Sequence, residues 1–187
     1  MAMKPWKTLE RHTLLKHNKF LTVESHTVEL PDGRVIEDWP WLEMPDFVNI
    51  LAETGDEKFI CFRQTKYSVK GVSLAPVGGY LEPGEEPETA GRRELREETG
   101  CEASEWIGLG SFPIDGNRGA GTAHFYLARG AHPVAPIYAD DLEEQEIIYL
   151  SREEMAAALD QGEFKLLPWM AIISLGLHYL DTHESVQ

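Results

Sequence analysis

The sequence predicts an α/β fold with a mixed sheet. Three observations carry this. Short apolar or alternating segments recur on both sides of one highly charged helical stretch. Turn signals built from Gly, Pro, Asp and Asn separate those segments. Two further helical patterns, the first opened by a capping box, close the chain.

In order, residues 11–30 alternate in the manner of strands, with Phe20, Leu21 and Val23, then Thr27, Val28 and Leu30. Pro31-Asp32-Gly33 predicts a turn, and 34–42 reads as a returning strand, broken by Pro40 and carrying Trp39 and Trp41. Residues 46–52 form an apolar strand, 54–57 a turn, and 59–64 a buried strand ending in Arg63-Gln64. Residues 74–77 run into the charged stretch. Beyond it come a strand at 106–112, a loop at 113–121, a buried strand at 122–128, an acidic loop at 139–146 and a strand at 147–150. Ser151 and Glu154 have capping-box spacing, which predicts a helix over about 152–160, ended by Gly162. A last helix from near Pro168 to near Leu180 carries Trp169, Ile172, Ile173, Leu177 and Leu180 as a core stripe. Residues 1–42 thus read as an N-terminal β-arm and 43–187 as the main domain.

Composition narrows the function. At 187 residues and 42% hydrophobic content, one domain with a sizeable core is expected rather than disorder. A net charge of −15 opposes non-specific binding to nucleic acid or to anionic membranes. An anionic substrate must then be received by metal ions or by a local basic patch. Two cysteines, Cys61 and Cys101, are too few for a disulfide framework. The opening residues lack an apolar signal region, and the longest apolar run, near 170–177, is far shorter than the ~18 residues of a membrane span. A cytoplasmic protein is the expectation.

Chemistry concentrates between Gly79 and Cys101. Pro87 suits a first helical turn, where its missing N–H would be unpaired anyway. Glu85, Glu86 and Glu88 favour the positive end of the helix dipole, and Gly100 suits a left-handed cap. A helix is predicted at about 86–99. At 100° per residue Glu94, Glu97 and Glu98 share one side of it, while Leu95 points to the core. Arg93 can pair with Glu97, but one arginine does not neutralise three carboxylates. A hard divalent cation would. Without one, the stretch would be an ordinary solvated charged helix. Glycine turns at Gly78-Gly79 and at Gly84 expose backbone groups beside these carboxylates.

Gly79, then Glu85 after five residues, then Arg93-Glu94-Leu95 after seven, then Glu97-Glu98 and Gly100, resembles the Nudix box of the Nudix hydrolases. The departure is Cys101, where the family usually has a bulky aliphatic residue; a buried cysteine substitutes as a small hydrophobe. The resemblance implies the Nudix α/β/α sandwich over about 45–180. It also implies Mg²⁺, with Mn²⁺ as the alternative, held by Glu94, Glu98, Glu97 (directly or through water) and the Gly78 carbonyl. Glu85 paired with Arg93 would be structural, as would Gly79 and Gly100. The L-P-D-G turn, the Arg63-Gln64 pair and the acidic loop resemble, more loosely, the ADP-ribose and nucleotide-sugar pyrophosphatase branch. That branch implies a nucleoside diphosphate-linked substrate and a homodimer built through the arm. It also implies a catalytic glutamate on the acidic loop, at Glu143 or Glu144, with Glu97 as the alternative base.

Other residues divide between roles. Arg63 and Arg118 either grip a phosphate or pair with a carboxylate. Trp39, or failing that Trp41, either stacks on the nucleobase or forms interface core. Glu82 is expected to face solvent, and His124 to be a satisfied core residue. The expected activity is hydrolysis of ADP-ribose or a related nucleoside diphosphate sugar. A nucleoside triphosphate pyrophosphatase and a non-catalytic Nudix-like sensor are the alternatives.

Overall fold

The computed structural model describes residues 3–138 and 144–184. The described chain divides into two compact units. The first runs up to Asp46 and includes Phe112–Thr122; the second comprises Phe47–Ser111 and the chain from Ala123 onward.

The first unit is an antiparallel meander of β1 (Lys7–His17), β2 (Leu21–Glu29) and β3 (Val35–Glu43). Asn18 takes a positive φ of 48° in the first turn, and its Oδ1 accepts from the Phe20 N–H. Gly33, at φ 85°, closes the second, as Pro31-Asp32-Gly33 predicted. The expected break at Pro40 does not occur: β3 is continuous and Pro40 lies opposite Ser25. The reason is which edge the missing N–H occupies. Leu42 donates its N–H to the Arg118 carbonyl, away from β2. N–H directions alternate along a strand, so Pro40, two residues earlier, lacks its donor on that same outer edge and costs the β2 ladder nothing. Every residue of β1 is exposed, including Leu9, Leu14 and Leu15, and so is Trp6 just before it.

The expected loop at 113–121 contracts to a turn. Strand β9 (Glu105–Asp115) and strand β10 (Gly119–Pro133) leave only residues 116–118 between them. Asp115 causes this by accepting from the Asn117 and Arg118 N–H groups and from Arg118 Nε, which also holds its carboxyl below the ordinary value.

In the second unit, β4 (Phe47–Thr54) runs parallel to β10 on one edge. Its other edge is shared by β7 (Val77–Tyr80) and β5 (Phe59–Thr65), both antiparallel. Strand β5 also pairs with β6 (Val72–Ala75) and β11 (Gln145–Leu150), and the short β8 (Cys101–Glu102) pairs with β10. This mixed sheet carries helices on both faces. Helix α1 (Pro87–Thr99) lies on the Val48 side, where Gly91 lets the helix approach Val48 and Trp106 closely. Helix α3 (Leu167–Glu184) lies on the Leu51 side, where a Cβ on Gly176 would land on the Leu51 side chain. Between Ser151 and Gly162, α2 (Arg152–Asp160) opens on the predicted capping box, with both reciprocal hydrogen bonds present. The fold is the expected α/β/α arrangement. The core stripe of α3 is buried as predicted: Trp169, Ile172, Ile173, Leu177 and Leu180. Both cysteines are buried and unbridged, and burial pushes the Cys61 thiol up to about 12. No described helix is long and apolar enough to cross a membrane.

Gly100 caps α1 in the left-handed region at φ 70°, and its N–H bonds the Arg96 carbonyl. A Cβ there would meet the Ala135 carbonyl oxygen, a backbone atom that cannot swing away. Gly100→Ala is therefore expected to cost at least about 1–2 kcal/mol. Thermal unfolding should show this as a fall in Tm of a few degrees, whereas Gly116→Ala, with open space around its Cα, should change it less.

Candidate active site

Helix α1 begins at Pro87 and ends at the Gly100 cap, within a residue of the limits the sequence predicts. Ala90, Gly91, Leu95 and Thr99 form its buried stripe, and Glu94 and Glu98 flank that stripe rather than facing open solvent. The expected Gly78-Gly79 turn is instead part of strand β7, both glycines pairing with β4, and Glu94 lies against that strand: a Cβ on Gly79 would land on its carboxylate. Only glycine leaves that space. On the next residue, a Cβ on Gly78 would strike the Val48 carbonyl and the Asn49 side chain. The two glycines thus let strand, helix and carboxylate meet at one point.

One side chain holds this junction. Arg93 Nε and Nη2 bond the two Glu85 oxygens, each at 3.0 Å. Nη1 bonds Glu94 at 2.7 Å and Glu97 at 3.1 Å, and Nη2 also reaches the Tyr80 carbonyl at 3.1 Å. All five N–H donors of the guanidinium are therefore used. Glu85 accepts in addition from the Glu82 N–H at 2.9 Å, while Glu82 itself is exposed, as expected. The Arg93 guanidinium holds the Glu85 carboxyl below its ordinary value. In return Glu85 first, then Glu94 and Glu97, push the arginine further up against the cost of burial. Glu98 completes the group by accepting from the Gly78 N–H at 3.0 Å.

As these side chains stand, no group of three His, Cys, Asp or Glu among the described residues is close enough to hold a metal ion. The donor set nevertheless fits one. Two carboxylates, Glu94 and Glu97, converge on the same nitrogen, Arg93 Nη1, so a positive charge already stands between them. The donors are hard oxygens, and three carboxylates with one shared guanidinium leave surplus negative charge.

Arg63 pairs with Glu146 at 2.9 Å across the β5–β11 register, and both side chains are well exposed. Glu144 is exposed; Glu143 lies outside the described residues. The chain leading to that acidic loop is tied to the end of α1: Tyr138 donates to the Glu97 carbonyl at 2.9 Å, and Val134 and Ala135 donate to the Gly100 carbonyl. Arg118 pairs with Asp115 in the first unit. There Trp39 donates its Nε1–H to the Asn117 carbonyl at 2.7 Å and meets Trp6 edge-on, while Trp41 stacks on His26 at 5.2 Å. Both tryptophans are half-buried. His124 is half-buried rather than a core residue, and its Nδ1 lies 2.8 Å from Ser111 Oγ. Asn49 was not singled out. It is buried opposite Gly78, and its Oδ1 has no partner among the described residues. A lone amide in the apolar run D-F-V-N-I-L-A was the available signal.

Residues 42–170 match the Nudix domain, and 6–42 match the nucleoside diphosphate sugar hydrolase N-terminal domain. The chain therefore belongs to the Nudix family, as a hydrolase acting on phosphoanhydride bonds. Hydrolases of this family generally use a divalent metal. Among curated relatives, the ADP-ribose pyrophosphatase of Bacillus subtilis (strain 168) is 27% identical over 97% of this chain and 98% of its own. The methanol dehydrogenase activator of Bacillus methanolicus is 29% identical over 84% of this chain and 74% of its own. A crystal structure of an ADP compounds hydrolase shares the fold at a TM-score of 0.81, with 20% identity and both chains fully covered.

The depressed Glu85 carboxyl ties the junction to pH. Its contribution to stability is present above the ordinary value of 4.5 and is lost as pH falls through the lower folded value. Glu85→Gln should lower stability at pH 7 by about 1–3 kcal/mol, the scale of charge-assisted hydrogen bonds. Urea titrations of both proteins across pH 7 to 3 should show the gap closing below pH 4.5. A gap that persists at the acid end would mean that packing, not charge, underlies it.

Proposed function

We propose that this chain hydrolyses the pyrophosphate of ADP-ribose or a related nucleoside diphosphate sugar, releasing a nucleoside monophosphate and a sugar phosphate. The observation that carries this reading is the intact Gly79–Glu85–Arg93–Glu94–Glu97–Glu98 constellation. It stands in the same chain as an arm that matches the N-terminal domain of nucleoside diphosphate sugar hydrolases. The full-length similarity to an ADP-ribose pyrophosphatase supports the choice of substrate.

In this reading Glu94, Glu97, Glu98 and the Gly78 carbonyl hold Mg²⁺, or Mn²⁺ in its place. The bound cation neutralises anionic phosphate oxygens and favours ionised water at neutral pH. The protein supplies the rest. Arg93 fixes Glu94 and Glu97 at one end of the junction, and the Gly78 N–H fixes Glu98 at the other. The acidic loop supplies the general base, Glu143 or Glu144, with Glu97 the alternative. Support for the loop comes from its anchorage: one end is bonded to the Glu97 carbonyl through Tyr138, and the other returns into β11 beside Arg63. Arg63 exchanges Glu146 for a substrate phosphate, since an exposed ion pair is weakly held.

A substrate panel with Mg²⁺ tests the whole reading. ADP-ribose or a nucleotide sugar should be turned over faster than any nucleoside triphosphate, and chelation should abolish turnover. Glu98→Gln should fold yet lose at least ~10²-fold in kcat. Of Glu143→Gln and Glu144→Gln, one alone should lose roughly 10²–10⁴-fold. Preference for triphosphates, or full turnover by Glu98→Gln at saturating Mg²⁺, would overturn it.

The arm makes a homodimer and closes the base pocket in the same reading. Support is the exposed β1 strand, with Leu9, Leu14 and Leu15 uncovered and Trp6 exposed just before it, a surface suited to an isologous twofold contact. Trp39, held by Asn117 and Trp6, stacks on the nucleobase; Trp41, against His26, is the second candidate. Stacking of this kind is worth about 1–3 kcal/mol, so Trp39→Ala should raise KM roughly 5- to 150-fold with a smaller change in kcat. Sedimentation of both proteins separates stacking from a purely interfacial role, in which the variant would dissociate instead. A monomeric wild type with unchanged KM in the variant would remove both roles.

A further inference from the structure

The flank of α1 turned away from the box carboxylates carries a second chemistry. Taking Glu94 as origin and ~100° per residue, Glu98 lies ~40° round the helix, whereas Arg92 and Arg96 lie ~160° and ~200° round it. These two arginines, with Thr89, Glu102, Ala103, Trp106 and the box arginine Arg93, line an open cleft of about 530 Å³ within the second unit. Its wall is aromatic. The Arg92 guanidinium lies over the Trp106 ring at 4.8 Å from the centroid, and Tyr126 braces the same indole edge-on at 6.0 Å. Gly91 makes this possible: a Cβ there would come within 3.0 Å of the Trp106 ring.

Two arginines one helical turn apart repel each other, by a few tenths of a kcal/mol on an exposed helix. Here each is partnered by a carboxylate at the rim: Arg92 with Glu88 at 2.7 Å, and Arg96 with Glu102 at 3.2 Å. All four of these side chains are about half exposed, so the two pairs are weakly held and open readily. Nothing in the hydrolytic reading uses Arg92, Arg96 or Trp106. In a chain of net charge −15, two guanidiniums one helical turn apart, one of them over an indole, group positive donors on one helix face.

We infer that this cleft is a second anion site, on the far side of Arg93 from the box carboxylates, that binds a phosphate dianion through Arg92 and Arg96. The guanidinium fork matches phosphate oxygens in pairs, and stacking on Trp106 pre-orients one of the two forks. On binding, the dianion takes the place of Glu88 and Glu102 as the partner of both arginines. No covalent step is involved. The inference does not depend on which phosphoanhydride the enzyme cleaves.

Calorimetric titration of the full chain in EDTA tests it, with inorganic phosphate and AMP as probes. Chelation removes any cation from the box, whose carboxylates then repel both probes and leave the cleft as the receptive surface. Saturable one-to-one binding in the millimolar range or tighter is expected. The Arg92→Gln, Arg96→Gln double variant should weaken it at least ~10-fold, about 1.4 kcal/mol. Glu102→Gln, which removes a competing carboxylate, should strengthen it. Equal affinities for the two probes would identify the phosphate group as the whole ligand. Tighter binding of AMP that the Arg92→Gln, Arg96→Gln double variant abolishes and Trp39→Ala leaves intact would place the nucleoside in the cleft as well. Absence of saturable binding by either probe, wild-type affinity in the double variant, or no gain in Glu102→Gln would each overturn the inference.

Discussion

One guanidinium organises the Nudix-box end of this protein. The five hydrogen bonds of Arg93 join the carbonyl of Tyr80, at the end of β7, to three carboxylates from two parts of the chain. Removing it would leave Glu85, Glu94 and Glu97 close together without a shared counter-charge, a costly state for partly buried carboxylates. The glycines on the other side are equally constrained. Gly79 has no side chain because the Glu94 carboxylate occupies its place, and Gly78 has none because a neighbouring strand's carbonyl does. Spacing in the box is thus a packing requirement before it is a chemical one. The distance from Gly79 to Glu85 spans the turn, and the distance from Glu85 to Arg93 brings the pair together across the first turns of α1.

Charge is distributed on α1 with the same economy. Its acidic side flanks the buried stripe, where glycine backbone and one arginine meet it. Its basic side lies on an indole, with rim carboxylates as partners. Helical periodicity puts these two sets about half a turn apart, so one element presents opposite electrostatics to two surroundings. A chain of strongly negative net charge can in this way hold local positive surfaces without losing solubility.

Much of this was legible in the sequence because it is written locally. Pro87 and Gly100 mark α1 by backbone chemistry that any helix obeys, and the Ser151–Glu154 box marks α2 likewise. The Arg93–Glu97 pair followed from helical spacing, and the Glu85–Arg93 pair from the resemblance to the Nudix box. What escaped depended on register. In sequence Pro40 marks a break, because its tolerance rests on which edge of β3 its nitrogen faces. The 113–121 loop was overestimated because Asp115 gathers the turn through hydrogen bonds that composition does not reveal. Arg63 meets Glu146 only through the β5–β11 pairing, and Trp106 meets Arg92 only once β9 is laid against the helix. His124 sits among apolar neighbours in sequence yet keeps one side open, since alternation along β10 exposes every second residue to a different environment.

The two thiols add a practical property. Cys61 is fully enclosed beside Met155, and Cys101 is packed directly after the α1 cap. A thiol raised to about 12 is almost wholly protonated at neutral pH, and the protonated form is a poor nucleophile. Oxidants and alkylating reagents therefore gain access to Cys61 chiefly when the sheet and α2 separate. Its rate of modification is a clock for opening of the core, readable without any probe added to the chain.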